Sequence, residues 1–175
     1  MEVYECIRAR RTIREFKPDP VSETVITRVL RAGRWAPSSR NQQPWHFIVV
    51  KDPDTLKSLG GIASSGRFVA DAPVVIALAM ENADRPDLDA GRALQQMELV
   101  AWSEGLGTCF VNLRVEEQNR RVKELLGIPA GIELIALLPF GYRLDISRTG
   151  GTPRNPLSKV AHTEKFGQPY LAPSP

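Results

Sequence analysis

Hydrophobic residues fall along this chain in two spacings, one helical and one extended. Val25, Ile26, Val29 and Leu30 share one helical face, with Ser22 placed to accept the first free N–H groups and Pro37 placed to stop the helix. Residues 3–10 read as a shorter helix. Residues 87–104 carry the longest helical pattern, rich in Ala, Leu, Gln and Met and ended by Gly105, with Ala90, Gly91 and Ala93 small enough for close packing. A brief helix from Pro53 to about Leu59 precedes Gly60 and Gly61, and residues 115–126 form another, ended by Gly127 and Pro129.

Between the helices lie apolar runs of strand length at residues 45–50, 73–80, 107–113 and 133–138. The second, PVVIALAM, is apolar without a break, as expected of a central strand covered on both faces. The last 25 residues hold Pro153, Pro156, Pro169, Pro173 and Pro175, so they cannot join a sheet centre and read as an extended arm from about residue 150. There are no internal repeats and no linker, so residues 1–175 read as one domain.

Length and composition fit that picture. A chain of 175 residues, 42% hydrophobic and 25% charged, is globular and long enough to bury roughly 70% of its unfolded surface. A net charge of +3 argues only weakly for nucleic acid or an anionic membrane. No apolar run reaches spanning length and residues 1–14 lack a signal-peptide core, which argues against a membrane or export. Cys6 and Cys109 make no metal spacing and no disulfide framework, as expected of a reducing cytoplasm.

The candidate chemistry begins in residues 36–50, APSSRNQQPWHFIVV, where a polar loop runs straight into a strand. Ser38 and Ser39 offer hydroxyls, Asn41 and Gln43 offer amides that donate and accept, and Pro37 and Pro44 fix the backbone beforehand. A flat, polyfunctional ligand needs such a set, although the same residue types also build ordinary turns. The second feature is RRTIREF at residues 10–16, with Arg10, Arg11 and Arg14 around Thr12. Guanidinium forks match phosphate oxygens two at a time, and equally a basic helix end relieves the helix dipole. His46 and His162 have no Cys, Asp or Glu at ligand spacing, so no metal is expected. No Gly-x-Ser-x-Gly elbow, Walker loop or dinucleotide fingerprint occurs. Trp35, Trp45 and Trp102 read as packing residues.

In sequence order, RRTIREF, APSSRNQQPWHF, LDAGRALQQMELVAWSEGLGTCFVNL (residues 88–113), LGIPAGIELIALLPFGY (126–142) and RNPLSKVAHTEKFG (154–167) together resemble the nitroreductase family of FMN-dependent flavoproteins. The resemblance implies an α+β fold with a central, mostly antiparallel sheet surrounded by helices, and an extended C-terminal arm exchanged in a homodimer. It implies FMN at the dimer interface and NADH or NADPH as electron donor. Arg10, Arg11, Thr12 and Arg14 match the segment that contacts the FMN phosphate, ribityl chain and pyrimidine edge. Pro37, Ser38, Ser39, Asn41 and Gln43 match the loop that reaches the flavin from the other subunit, and Arg154 matches a late basic residue of the phosphate clamp. Val111 and Asn112 fall where the family has an apolar residue followed by Gly near the flavin ring. Asn112 departs from that pattern, and Asn tolerates the positive φ that Gly would adopt there.

The resemblance therefore implies a cytoplasmic oxidoreductase that passes electrons from NAD(P)H to a nitroaromatic, quinone or similar electron-poor acceptor by a ping-pong route through one pocket. No residue is assigned as catalytic, because the cofactor carries the chemistry. The alternatives are a flavin-binding or redox-sensing protein without turnover, a flavin-consuming or dehalogenating branch of the same fold, and a basic nucleic-acid module. For the dehalogenating branch, residues 60–71 and 82–87 leave little room for a lid. For nucleic acid, stacking and base-reading elements are missing.

Overall fold

A computed structural model describes residues 1–63, 66–144 and 153–170; Pro173, Pro175 and the outer limits of the expected arm lie outside them. In chain order the regular elements are α1 (Val3–Ala9), α2 (Glu23–Arg34), β1 (Trp45–Val50), α3 (Pro53–Ile62), β2 (Val74–Met80), α4 (Pro86–Ser103), β3 (Leu106–Thr108), α5 (Glu116–Leu125), β4 (Glu133–Tyr142) and α6 (Leu157–Val160). The four strands form one sheet in the order β1-β2-β4-β3, with every neighbouring pair antiparallel. This is the α+β arrangement the sequence implied.

All seven residues of β2 are buried, because the strand has a neighbour on each edge and helices over each face. Its side chains alternate as a pleat requires. Val74, Ile76, Leu78 and Met80 join α2 and α4 in one core cluster, whereas Val75 and Ala77 join Leu56, Leu59 and Ile62 of α3 in the other. The close approach of α2 to α4 depends on Gly33, where a Cβ would stand 2.8 Å from Met97 Sδ and from Phe47 Cζ. Ser22 caps α2 by accepting from the Val25 N–H at 3.4 Å.

Three elements differ from their expected lengths. Helix α3 continues through Gly60 and Gly61 to Ile62, because burial of Leu56, Leu59 and Ile62 on one face outweighs a glycine penalty of about 1 kcal/mol per residue. Strand β3 stops at Thr108, and Val111 then makes an isolated bridge to Leu137. Strand β4 runs on to Tyr142 despite Pro139, since β3 ends opposite Phe140 and leaves Pro139 without a ladder partner on that edge.

Trp45 and Trp102 are packing residues as expected, but Trp35 is 75% exposed, with the Arg34 guanidinium 5.4 Å from its ring centre. It follows the last residue of α2, where the chain turns away from the core. Among the described residues, no helix is long and apolar enough to cross a membrane.

Candidate functional site

After α1 the chain extends along the outer edge of β3. Ile13 N–H donates to the Thr108 carbonyl at 2.9 Å, Thr12 bridges Thr108, and Lys17 N–H donates to the Tyr142 carbonyl. This segment forms one wall of a cleft of about 380 Å³ lined by Arg11, Thr12, Ile13, Arg14, Glu15, Arg143 and Leu144. Arg11 Nε and Arg143 Nε are buried and have no hydrogen-bond partner. The three guanidinium groups along this cleft, Arg11, Arg14 and Arg143, suit an anion with several acceptor oxygens.

Arg143 was not foreseen. Its guanidinium lies 3.9 Å from the Trp102 ring centre and donates to the carbonyls of Trp102 and Leu106, both at 2.9 Å. Burial pushes its pKa down from the ordinary value, and Arg11 adds to the shift. In the sequence it is a single cation after an apolar strand, with no motif to mark it.

The arginines of RRTIREF take different places. Arg11 and Arg14 line the cleft, while Arg10 pairs with Glu98 of α4 at 3.5 Å and lies outside the lining. Burial pushes the Glu98 carboxyl above its ordinary value, and Arg10 pulls it partly back. The Arg14 guanidinium sits 5.9 Å from the Phe68 ring centre, and the Cys109 thiol donates to the Phe110 carbonyl at 3.5 Å. That thiol is raised by burial and drawn partly back by Arg14.

The polar loop is built differently. Ser38 is extended, Ser39–Asn41 make a short 3-10 turn, and Arg40, Asn41 and Gln43 have φ of 50°, 58° and 50°. Left-handed conformations of non-glycine residues cost on the order of 1–3 kcal/mol each, so the surroundings must impose them. Gln43 N–H donates to Ser38 Oγ at 2.9 Å, and Ser39 N–H donates to Asp89 Oδ2 at 3.0 Å. Asp84 N–H donates to Gln42 Oε1 at 3.1 Å, and Arg40 pairs with Asp84 at 3.3 Å. The side chains of Pro37, Asn41 and Gln43 remain exposed, with those of Ser38 and Ser39 half-buried.

Pro37 lines a second cleft, of about 490 Å³, with Asp87, Leu88, Gly91, Arg92, Gln95 and Gln96. No loop residue lines the arginine cleft. Within a single chain, Arg11, Thr12 and Arg14 thus line one cleft while Pro37 alone of the loop residues lines the other.

Val111 is buried and exchanges two 3.0 Å backbone hydrogen bonds with Leu137. Asn112 is exposed, and its φ is not among the positive ones, so the glycine-like backbone considered for it is not adopted. The strand-like pairing of Val111 holds the chain extended instead. Arg154 is exposed in the tail and does not line the arginine cleft. His46 does have an acidic neighbour: Glu81 lies 2.9 Å away across the β1–β2 step, a proximity that sequence spacing conceals. Among the described residues, no three such side chains gather as a metal site.

The sequence model of the Nitroreductase family matches residues 7–66 and 63–142. A Methanothermobacter thermautotrophicus protein, provisionally described as an NADH dehydrogenase/NAD(P)H nitroreductase, is 32% identical over 148 residues covering 81% of this chain and 78% of that one. An FMN-dependent nitroreductase structure from Clostridium difficile R20291 superimposes with a TM-score of 0.83 at 25% identity, covering 93% of this chain and 99% of that one. The iodotyrosine deiodinase of Nematostella vectensis is 24% identical over 91% of this chain and 74% of its own.

Proposed function

We propose, from the premise that this chain belongs to the nitroreductase family, that it passes electrons from NAD(P)H through FMN to a nitroaromatic, quinone or other electron-poor acceptor. It is an oxidoreductase that uses FMN and a nicotinamide donor. The observation that carries the reading is the arginine cleft, where Arg11, Arg14 and Arg143 line the walls around Thr12. A phosphate ester matches such a gathering of guanidinium groups.

Bound FMN supplies hydride acceptance and release at its ring. Arg11 and Arg14, with Arg154 arriving from the tail, would hold the phosphate, and the Thr12 hydroxyl would bind the ribityl chain. Arg10 keeps this segment in place through Glu98. Pro37, Ser38, Ser39, Asn41 and Gln43 orient the ring from the second protomer of a homodimer. Val111, buried beside Leu137, and exposed Asn112 would flank the bound ring and limit its access to water. One shared pocket used in turn by donor and acceptor gives ping-pong kinetics.

The dimer accounts for the two clefts, because the loop of one chain can then face the arginines of its twin. It also accounts for the exposed apolar face of α1, where Val3, Tyr4 and Ile7 are 68%, 64% and 53% exposed. The proposal includes a cytoplasmic setting, supported by free, buried Cys6 and Cys109. Reductive dehalogenation is the second reading, favoured by the similarity to the deiodinase.

The test begins with the visible spectrum of protein loaded with FMN. Full-length protein reduced anaerobically with NADH or NADPH is then offered a quinone, a nitro compound, an iodinated phenol or oxygen. Reoxidation by quinone or nitro compound faster than by oxygen is the expected result. A protein that stays colourless in FMN, or is reoxidised only by oxygen, overturns the reading.

A further inference from the structure

Asp89 is the one fully buried carboxylate among the described residues, and it lies in the first turn of α4. Acidic residues early in a helix favourably meet the positive end of its dipole, and they do so from solvent, as exposed Asp87 does here. Asp89 instead points inward. A buried charge needs partners, and two are present: Ser39 N–H at 3.0 Å on Oδ2 and Arg92 Nη1 at 3.1 Å on Oδ1.

The first partner identifies the role. The 3-10 turn Ser39–Asn41 has no side-chain cap of its own, since Ser38 Oγ is taken by the Gln43 N–H. Asp89, fifty residues further along the chain, accepts the Ser39 N–H in place of that cap. Asp84 holds Arg40 and Gln42 from the loop that leads into the same helix. The left-handed run at Arg40, Asn41 and Gln43 is therefore clamped at its start by α4 and along its length by the residues before it.

We infer that Asp89 is a positioning residue that presets residues 37–43 in their ligand-ready shape, with Arg92 orienting the carboxylate from its other oxygen. The inference rests on the reading that this loop faces FMN. Asp89 acts through the backbone of Ser39 and not through the cofactor. Without it, Ser39 N–H loses its acceptor and the strained turn loses its anchor, so each binding event must also order the loop.

The experiment compares full-length, FMN-loaded protein carrying Asp89→Ala, Asp89→Asn, Ser39→Pro or Ser39→Ala. Ser39→Pro deletes the same hydrogen bond from the loop side, and Ser38 at φ −128°, ψ 157° already has the extended backbone that proline demands of its predecessor. Ser39→Ala controls for the hydroxyl. The readouts are the FMN dissociation rate, followed by recovery of free-flavin fluorescence, and the urea unfolding midpoint.

The expected result is FMN loss about tenfold faster in Asp89→Ala and less in Asp89→Asn, with Ser39→Pro releasing FMN faster than Ser39→Ala, which measures the hydroxyl's own share. The double variant Asp89→Ala with Ser39→Pro should be no worse than Ser39→Pro alone, because both remove the one Ser39 N–H bond to Asp89. Multiplying losses, or a lowered urea midpoint with unchanged FMN release, overturns the inference while leaving the functional reading intact. A wild-type chain that takes up no FMN overturns both.

Discussion

Gly107 and Ile13 are in such close apposition that a Cβ on Gly107 would stand 2.5 Å from the Ile13 Cβ. The contact sets how near the arginine-bearing segment lies to β3, and hence the shape of the cleft wall. Gly107→Ala must push Ile13 outward or bend β3, and overpacking of this kind costs roughly 1–3 kcal/mol. The variant should unfold at lower temperature and retain less FMN, measured by thermal denaturation and by flavin absorbance after dialysis. A variant with an unchanged melting temperature and full flavin content would show that the wall yields freely.

Arg14 and Arg10 should behave differently although they share one motif. Arg14 is exposed and lines the cleft, so Arg14→Ala should weaken FMN binding by about 1.5–3 kcal/mol, the range for a hydrogen bond to a charged group. Arg10 is the ion-pair partner of half-buried Glu98, so Arg10→Ala should chiefly lower stability by leaving that carboxylate alone. FMN titration and urea unfolding of both variants separate the two effects. Equal flavin affinity in Arg14→Ala and wild type would remove Arg14 from the clamp.

The features legible in the sequence were those carried by local pattern. The unbroken apolar run of β2, the Ser22 cap and the Gly105 stop of α4 each depend on neighbours a few residues away, and all are observed. The features that escaped depend on groups distant in sequence. Asp89 reads as one more acid at a helix start, and only its burial against Ser39 reveals a clamp. Arg143 has no motif, and the Glu98 partner of Arg10 comes from another element altogether. The end of α3 was misplaced for a related reason, since two glycines weigh against a helix locally while the core beneath Leu59 and Ile62 holds it.

Glu98 predicts a pH dependence with a definite sign. Burial raises its carboxyl above the ordinary value of 4.5, with Arg10 opposing. A folded-state pKa above the unfolded one means that the fold binds the proton more tightly. The associated stabilisation is fully present below 4.5 and is lost as pH rises through the raised value. Glu98→Gln cannot titrate, so its melting temperature relative to wild type should improve as pH rises from 4.5 and then level off. Melting curves of both proteins across that range supply the check, and a difference that stays flat or falls would contradict the assigned direction.

The tail offers the most direct test of the proposed dimer. Between residues 161 and 170 it has hydrogen bonds of its own, Tyr170 N–H to the Ala161 carbonyl at 3.0 Å and Thr163 N–H to the Gln168 carbonyl at 2.7 Å, and the rings of His162 and Phe166 meet at 4.5 Å. Yet Leu157, Val160 and Phe166 are 53%, 60% and 94% exposed. A segment that spends proline and hydrogen bonds on local order while turning its apolar side chains outward is suited to covering another surface, and a second copy of the chain offers one in the apolar face of α1. Deleting residues 153–175 should therefore lower both the dimer fraction and the flavin content, because Arg154 leaves with the tail and the opposing loop is no longer held near the arginines. Light scattering coupled to size exclusion, with flavin absorbance recorded on the same peak, measures both at once. A truncated chain that remains a fully yellow dimer would make the arm dispensable, and one that is a fully yellow monomer would refute a cofactor shared between protomers.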